Sequence, residues 1–199
     1  MSKPSDSVNQ PRGDRLFVAL EIPEDVKASL SGLQSHFPSL KWTPTGNLHL
    51  TLRFIGQVPQ TSIEPIQQSL RSVKNCSFRL IVAGLGLFQR KTGGILWAGV
   101  NKEPALLQLK QQVDEALRVS VGLNLKEESF SPHLTLSRLK ISPSPALKIQ
   151  VRAKAVEQFG DFPVTGFTLF RSFLLPTGAI HEQVERYPLN TILQPPKEE

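Results

Sequence analysis

Asn47-Leu48-His49-Leu50-Thr51-Leu52-Arg53-Phe54-Ile55-Gly56, and later Phe130-Ser131-Pro132-His133-Leu134-Thr135-Leu136-Ser137-Arg138, are two versions of one pattern. In a strand, successive side chains alternate between faces. Alternation puts Leu48, Leu50, Leu52 and Phe54 on one face of the first stretch, and His49, Thr51 and Arg53 on the other. In the second, Leu134 and Leu136 oppose His133, Thr135 and Ser137. Each segment thus sets an imidazole beside a hydroxyl, with leucines to anchor the strand in a core. A lone histidine of this kind is ordinarily a residue on the solvent face of an amphipathic strand. Here two of the chain's four histidines stand at matching places, which amphipathic patterning alone does not produce.

Around these segments the elements repeat. Arg15 to Ile22 is apolar on nearly both faces, as a central strand is. Pro23 opens a helix with Val26, Leu30, Leu33 and Phe37 at helical spacing, and Pro38 closes it. After the first motif a helix carries Ile63, Ile66, Leu70 and Val73. Phe78 to Phe88 and Ile95 to Val100 are then strands joined by a hairpin at Gly93-Gly94. A helix from Pro104 to about Val119, stopped by Gly122, leads into the second motif. The remainder gives a helix over Ala146 to Phe159, then strands over Val164 to Leu174 and Val184 to Leu189, connected through Thr177-Gly178. An aromatic-led strand follows each motif by about thirty residues, at Phe78 and at Phe162. The expected fold is α+β, a pair of related lobes over residues 15–100 and 101–192, between a flexible leader (1–14) and tail (193–199).

The 199 residues carry a net charge of +6, which favours polyanionic partners without specifying one. No stretch approaches the ~20 apolar residues of a membrane span, the leader lacks the apolar run of a secretory signal, and the single Cys76 cannot form an internal disulfide. A cytoplasmic protein with no membrane partner is expected.

If a pseudo-twofold relates the lobes, both His-Thr pairs converge on one point. One imidazole can then take a proton from attacking water while the other gives one to the departing oxygen. Threonine hydroxyls can donate to phosphate oxygens, and Arg138 can offset accumulating charge. Zinc is the competing reading, but neither histidine has a carboxylate or cysteine at i+2 or i+4, so neither a metal nor another cofactor is expected.

These residues resemble the 2H phosphoesterase superfamily, specifically the RNA 2′,3′-cyclic phosphodiesterases also called 2′-5′ RNA ligases, or LigT-like proteins. The resemblance rests on Arg15-Leu16-Phe17-Val18-Ala19-Leu20, the two motifs, and Leu169-Phe170-Arg171-Ser172 followed by Pro176-Thr177-Gly178-Ala179. It implies two pseudo-symmetric lobes with antiparallel sheets around a central cleft and helices outside. It further implies hydrolysis of a terminal 2′,3′-cyclic phosphate to a 2′-phosphate, with His49 as proton donor, His133 as proton acceptor, and Thr51 and Thr135 holding the phosphate. Run backwards with a 5′-hydroxyl, the reaction forms a 2′-5′ linkage. Partners are RNA or oligonucleotide ends, tRNA fragments among them, and a monomer suffices because both motifs lie on one chain. One departure stands at His181, where the family usually has Tyr. Trp42, near the family's aromatic position, is the expected stacking residue for the terminal base; Phe54, on the leucine face, is expected to pack in the core. The alternatives are a non-catalytic RNA-end binding module, or a phosphodiesterase for other small cyclic nucleotides or 2′-5′ oligonucleotides.

Overall fold

A computed structural model describes residues 13–121, 129–176 and 178–191. Eight strands form one antiparallel sheet: β1 (Asp14–Glu21), β2 (His49–Val58), β3 (Phe78–Gln89), β4 (Gly94–Val100), β5 (His133–Leu139), β6 (Gln158–Val164), β7 (Gly166–Leu175) and β8 (Gly178–Pro188). Their order is β6-β3-β4-β5-β2-β1-β7-β8. The two motif strands are therefore neighbours at the centre, but they pair only at Leu50 and Leu134. That seam divides the sheet into two four-stranded lobes, each with a motif strand as its inner edge.

The lobes are interleaved in sequence. One comprises β2, β1, β7 and β8, the other β5, β4, β3 and β6, so the expected halves at 15–100 and 101–192 do not coincide with them. The helices tie the lobes together. These are α1 (Glu24–Gly32), α2 (Ile63–Arg71), α3 (Pro104–Val121) and α4 (Pro145–Ala153). α1 leaves β1 but packs on β6 of the other lobe, and α3 leaves β4 but packs on β2 across the seam. Val26 and Leu30 of α1, Ile66 and Leu70 of α2, and Leu106, Leu109, Val113 and Leu117 of α3 share one core with Leu50, Leu52, Leu134 and Leu136. Burying both lobes' leucines under helices that cross the seam holds together what a single backbone bridge could not.

The central strands and the hairpin stand where alternation and turn residues place them. In the hairpin, the Arg90 amide donates to the Gly93 carbonyl at 3.2 Å; Gly93 has φ +88°, and a Cβ there would strike the Leu139 carbonyl, so glycine is required twice over. The helix expected over Ala146 to Phe159 ends at Ala153. Ser144 caps its start by accepting from the Leu147 amide at 3.2 Å, with Pro145 in the first turn. Phe159 belongs instead to β6, an edge strand pairing with β3, where Pro163 is tolerated because one side of the strand needs no amide donor. The expected stop at Gly122, and Thr177 in the last connection, lie outside the described residues.

Candidate functional site

β2 does not alternate strictly. Opposite β1, Ala19 pairs with Thr51 and Val18 with Arg53, so Leu52 is an extra residue; Ile55 is another. At such a bulge two neighbours take the place of one and the facing of later residues reverses. Leu52 and Arg53 are both buried, and Phe54 is half exposed. Two expectations are thereby corrected. Arg53 leaves the histidine face and is bonded by Nε and Nη2 to Asp114 of α3, while Phe54 turns to the histidine face, beside Phe17 with ring centroids 6.1 Å apart.

β5 repeats the device. Trp97 pairs with Thr135 and Leu96 with Ser137, which leaves Leu136 as the extra residue. Ser137 is buried and donates through Oγ to the Lys41 carbonyl at 2.8 Å. Arg138, on the opposite face from His133 under strict alternation, is carried round to the same face. Phe54 and Arg138, each five residues past its histidine, are equivalent positions.

Because β2 and β5 run antiparallel through Leu50 and Leu134, the register sets His49 across from Thr135 and Thr51 across from His133. All four side chains are partly exposed on the face away from the leucine core. Both imidazoles are fixed the same way: His49 Nδ1 lies 2.8 Å from the Asn47 carbonyl and His133 Nδ1 lies 2.7 Å from the Ser131 carbonyl. A carbonyl can only accept, so each Nδ1 carries the proton and each Nε2 is left for a ligand.

The surroundings differ. Phe17 (centroid 4.9 Å) and His181 (5.2 Å) flank His49, and Phe170 stacks on Phe17 at 5.2 Å. Beside His133 stand Phe88 (5.0 Å) and Trp97 (6.5 Å). A small cavity of about 80 Å³ adjoins His49, lined in part by Phe17, Phe170 and His181. Burial pushes the His49 imidazole down to about 4; the Asn47 carbonyl acts the other way, and the charges of His181, Arg138 and His133 add to the depression. His181 is lowered by burial, and Arg138 by burial and by the like charge of Arg90.

Trp42 is not brought to this face. Its ring packs against Phe37, its indole N–H reaches the Phe37 carbonyl at 3.4 Å, and its backbone bridges Ser137 alongside β5. The aromatic surface consists instead of Phe54, Phe170, Phe88 and Trp97, with the buried Phe17 beneath. No local pattern marked it, since these residues come from five strands and meet only through the sheet order. Among the described residues no group of three His, Cys, Asp or Glu side chains is placed to hold a metal ion.

A family model described as LigT-like phosphoesterase matches residues 20–97 and 99–181. The chain belongs to this family. It is 33% identical over 180 residues to a Thermotoga maritima protein named RNA 2′,3′-cyclic phosphodiesterase, covering 84% of this chain and 91% of the relative. It is 30% identical over 174 residues to an Archaeoglobus fulgidus protein of the same name, covering 85% and 97%. The crystal structure of E. coli LigT complexed with 3′-AMP superposes with a TM-score of 0.74 at 25% identity, covering 88% of this chain and 98% of that one. The bilobal 2H phosphoesterase fold is thus common to this LigT-like protein and its solved relative.

Proposed function

We propose that this LigT-like phosphoesterase opens the terminal 2′,3′-cyclic phosphate of RNA to a 2′-phosphate without a metal ion, by acid–base catalysis between His133 and His49. The observation that carries the reading is the matched pair of Nδ1 hydrogen bonds at 2.8 and 2.7 Å, which leaves two Nε2 atoms for one ligand at the seam. Water loses a proton to His133 Nε2 as its oxygen attacks phosphorus. The bond from phosphorus to the 3′ oxygen breaks, and that oxygen takes a proton from His49 Nε2. One proton is gained and one given, and exchange with solvent restores both rings. Thr51 and Thr135 donate to the non-bridging oxygens, and Arg138 balances their charge.

The depressed His49 gives the acid its control. An empty cleft keeps His49 neutral near pH 7; entry of the phosphate anion favours the imidazolium and so charges the acid when there is something to protonate. Phe54 and Phe170, backed by the buried Phe17, offer the terminal base a stacking surface on the His49 side. With a 5′-hydroxyl in place of water, the same proton transfers form a 2′-5′ linkage. The names of the relatives support the cyclic-phosphate substrate, and the LigT complex with 3′-AMP supports a cleft that accepts one nucleotide. The site is complete within one chain, so a monomer suffices, and we place it in the cytoplasm, where the exposed Cys76 stays reduced.

The test is chelator-treated protein on an RNA with a cyclic end, with phosphorus NMR to locate the product phosphate. A 2′-phosphate is expected, with turnover lost in His49→Ala and in His133→Ala while both remain folded. Activity restored only by added zinc would defeat the metal-free reading, and binding without turnover would favour the non-catalytic module.

A further inference from the structure

The two lobes differ in charge although they match in backbone. Residues 14–58 and 166–188, which hold one lobe's strands, carry six acidic and six basic side chains. Residues 78–101 and 129–164, which hold β3, β4, β5, α4 and β6 of the other, carry eight lysines and arginines against two carboxylates, Glu157 and Asp161, which pair with Lys154 and Arg79. Between the two sets of strands the excess of positive charge therefore sits on the His133 side of the seam.

Part of that charge is gathered at one end of the cleft. The turn from Arg90 to Gly93 lies against the Leu139–Lys140 backbone, where a Cβ on Gly93 would meet the Leu139 carbonyl and the Lys140 carbonyl carbon. Arg90 and Lys91 from the hairpin thus stand next to Arg138 and Lys140 at the end of β5, close enough for the Arg90 charge to bear on Arg138. All four reach solvent, Arg138 with part of its side chain covered, and none has a carboxylate partner among the described residues. Like charges left uncompensated at the mouth of a cleft are suited to an anion that arrives from outside.

In-line displacement decides which anion. Resting on the reading above, the leaving 3′ oxygen and its nucleoside lie on the His49 side, among the aromatic rings, so the attacking oxygen enters from the His133 side. We infer that the end of this lobe formed by Arg90, Lys91 and Lys140 binds a second RNA strand, the one whose 5′-hydroxyl takes the place of water. Its first base rests near Phe88 and Trp97 and its phosphates run over the cations. The 5′ O–H bond gives its proton to His133, the new bond forms between the 5′ oxygen and phosphorus, and the 3′ oxygen leaves with the proton from His49.

The experiment uses the full chain and a fluorescent ten-nucleotide RNA with a 5′-hydroxyl and a 3′-deoxy end, which cannot itself carry a cyclic phosphate. Binding is followed by anisotropy across salt concentrations. In parallel, hydrolysis of 2′,3′-cyclic AMP reports on the central site. Lys91→Glu/Lys140→Glu is expected to weaken strand binding about tenfold and to flatten the salt dependence by about 0.7 in log–log slope per contact removed, while cyclic AMP hydrolysis stays at the wild-type rate. Lys74→Glu/Lys102→Glu changes net charge equally from exposed positions elsewhere and is expected to bind the strand like wild type. Equal weakening in both double variants, or none in either, would overturn the inference. Loss of cyclic AMP hydrolysis in the wild type would instead count against the phosphodiesterase reading, and the binding arm would still decide the strand site.

Discussion

Filling the cleft with a phosphodiester that cannot react should move the His49 titration from about 4 to near neutrality. The empty-site value reflects burial first, with three neighbouring charges of the same sign. A single phosphate charge about 4 Å from the ring, at an effective dielectric near 20, favours the imidazolium by about 4 kcal/mol. At about 1.4 kcal/mol per unit this is roughly three units, giving about 7 in the complex. The bound value being the higher, the complex takes up a proton between the two midpoints. Affinity should therefore rise as pH falls from about 7 to about 4, by up to tenfold per unit, and level off below. A 2′-O-methyl nucleoside 3′-methylphosphate serves as ligand, since it holds one charge throughout and cannot cyclise. Ring proton NMR, assigned by loss of the signal in His49→Gln, follows the titration, and calorimetry in buffers of different ionisation heat counts the proton. A midpoint near the ordinary histidine value without ligand, or one still near 4 with the ligand bound, would refute the proposed control of the acid.

Three further outcomes follow from the same geometry. Burial acts to raise the Asp114 carboxyl, but hydrogen bonds from Arg53 and Lys110 outweigh it and hold the group below its usual value; Asp114→Asn should lower stability to urea by about 3 kcal/mol near neutral pH. Its contribution is present above the unfolded carboxyl value and is lost as pH falls through the folded one, so the variant should show a shallower acid dependence than wild type. Thr51→Val and Thr135→Val, close to isosteric, should each lower kcat by about 10- to 100-fold with unchanged melting temperature, measured on a cyclic dinucleotide end. In Gly86→Ala the new Cβ would overlap the Trp97 ring, so tryptophan fluorescence should shift and KM rise while His49 titrates as before.

What the sequence made legible is what local pattern encodes. β1, β2 and β5 follow from alternation, the β3–β4 hairpin from its glycines, and α3 from its leucine spacing, and both histidines reach one seam because equal phase in two strands survives any rigid packing of those strands. β6 was legible only in part: Phe162 stands as the aromatic counterpart of Phe78, but Phe159 continues the four-residue spacing of Leu147 and Val151, and Gly160 and Pro163 argue against a strand unless its edge position is known. The interleaving of the lobes was equally hidden, because which strand lies beside β1 depends on β7, about 150 residues away in the chain. Trp42 had the right residue type near the right motif, but Phe37 and the Ser137 bridge hold it elsewhere.

The bulges carry the remaining step from sequence to chemistry. Without the extra residues Leu52 and Leu136, positions five past each histidine would point into the core, and a buried Phe54 with a buried Arg138 would leave the cleft with its four central groups alone. The extra residues turn both outward while sending Arg53 and Ser137 inward, where each finds a partner, Asp114 for one and the Lys41 carbonyl for the other. The centre of the site is thereby kept symmetric, with two His-Thr pairs about the Leu50–Leu134 bridge, and its ends are made unlike: Phe54 with Phe17 on one side, Arg138 with Arg90 on the other. A symmetric centre suits a reaction that can run in both directions, since acid and base exchange roles. Unlike ends give it polarity, aromatic on one side and cationic on the other. Exchanging the two end residues, Phe54→Arg with Arg138→Phe, should spare the histidine hydrogen bonds yet abolish productive binding, visible as a loss in kcat/KM with the melting temperature retained.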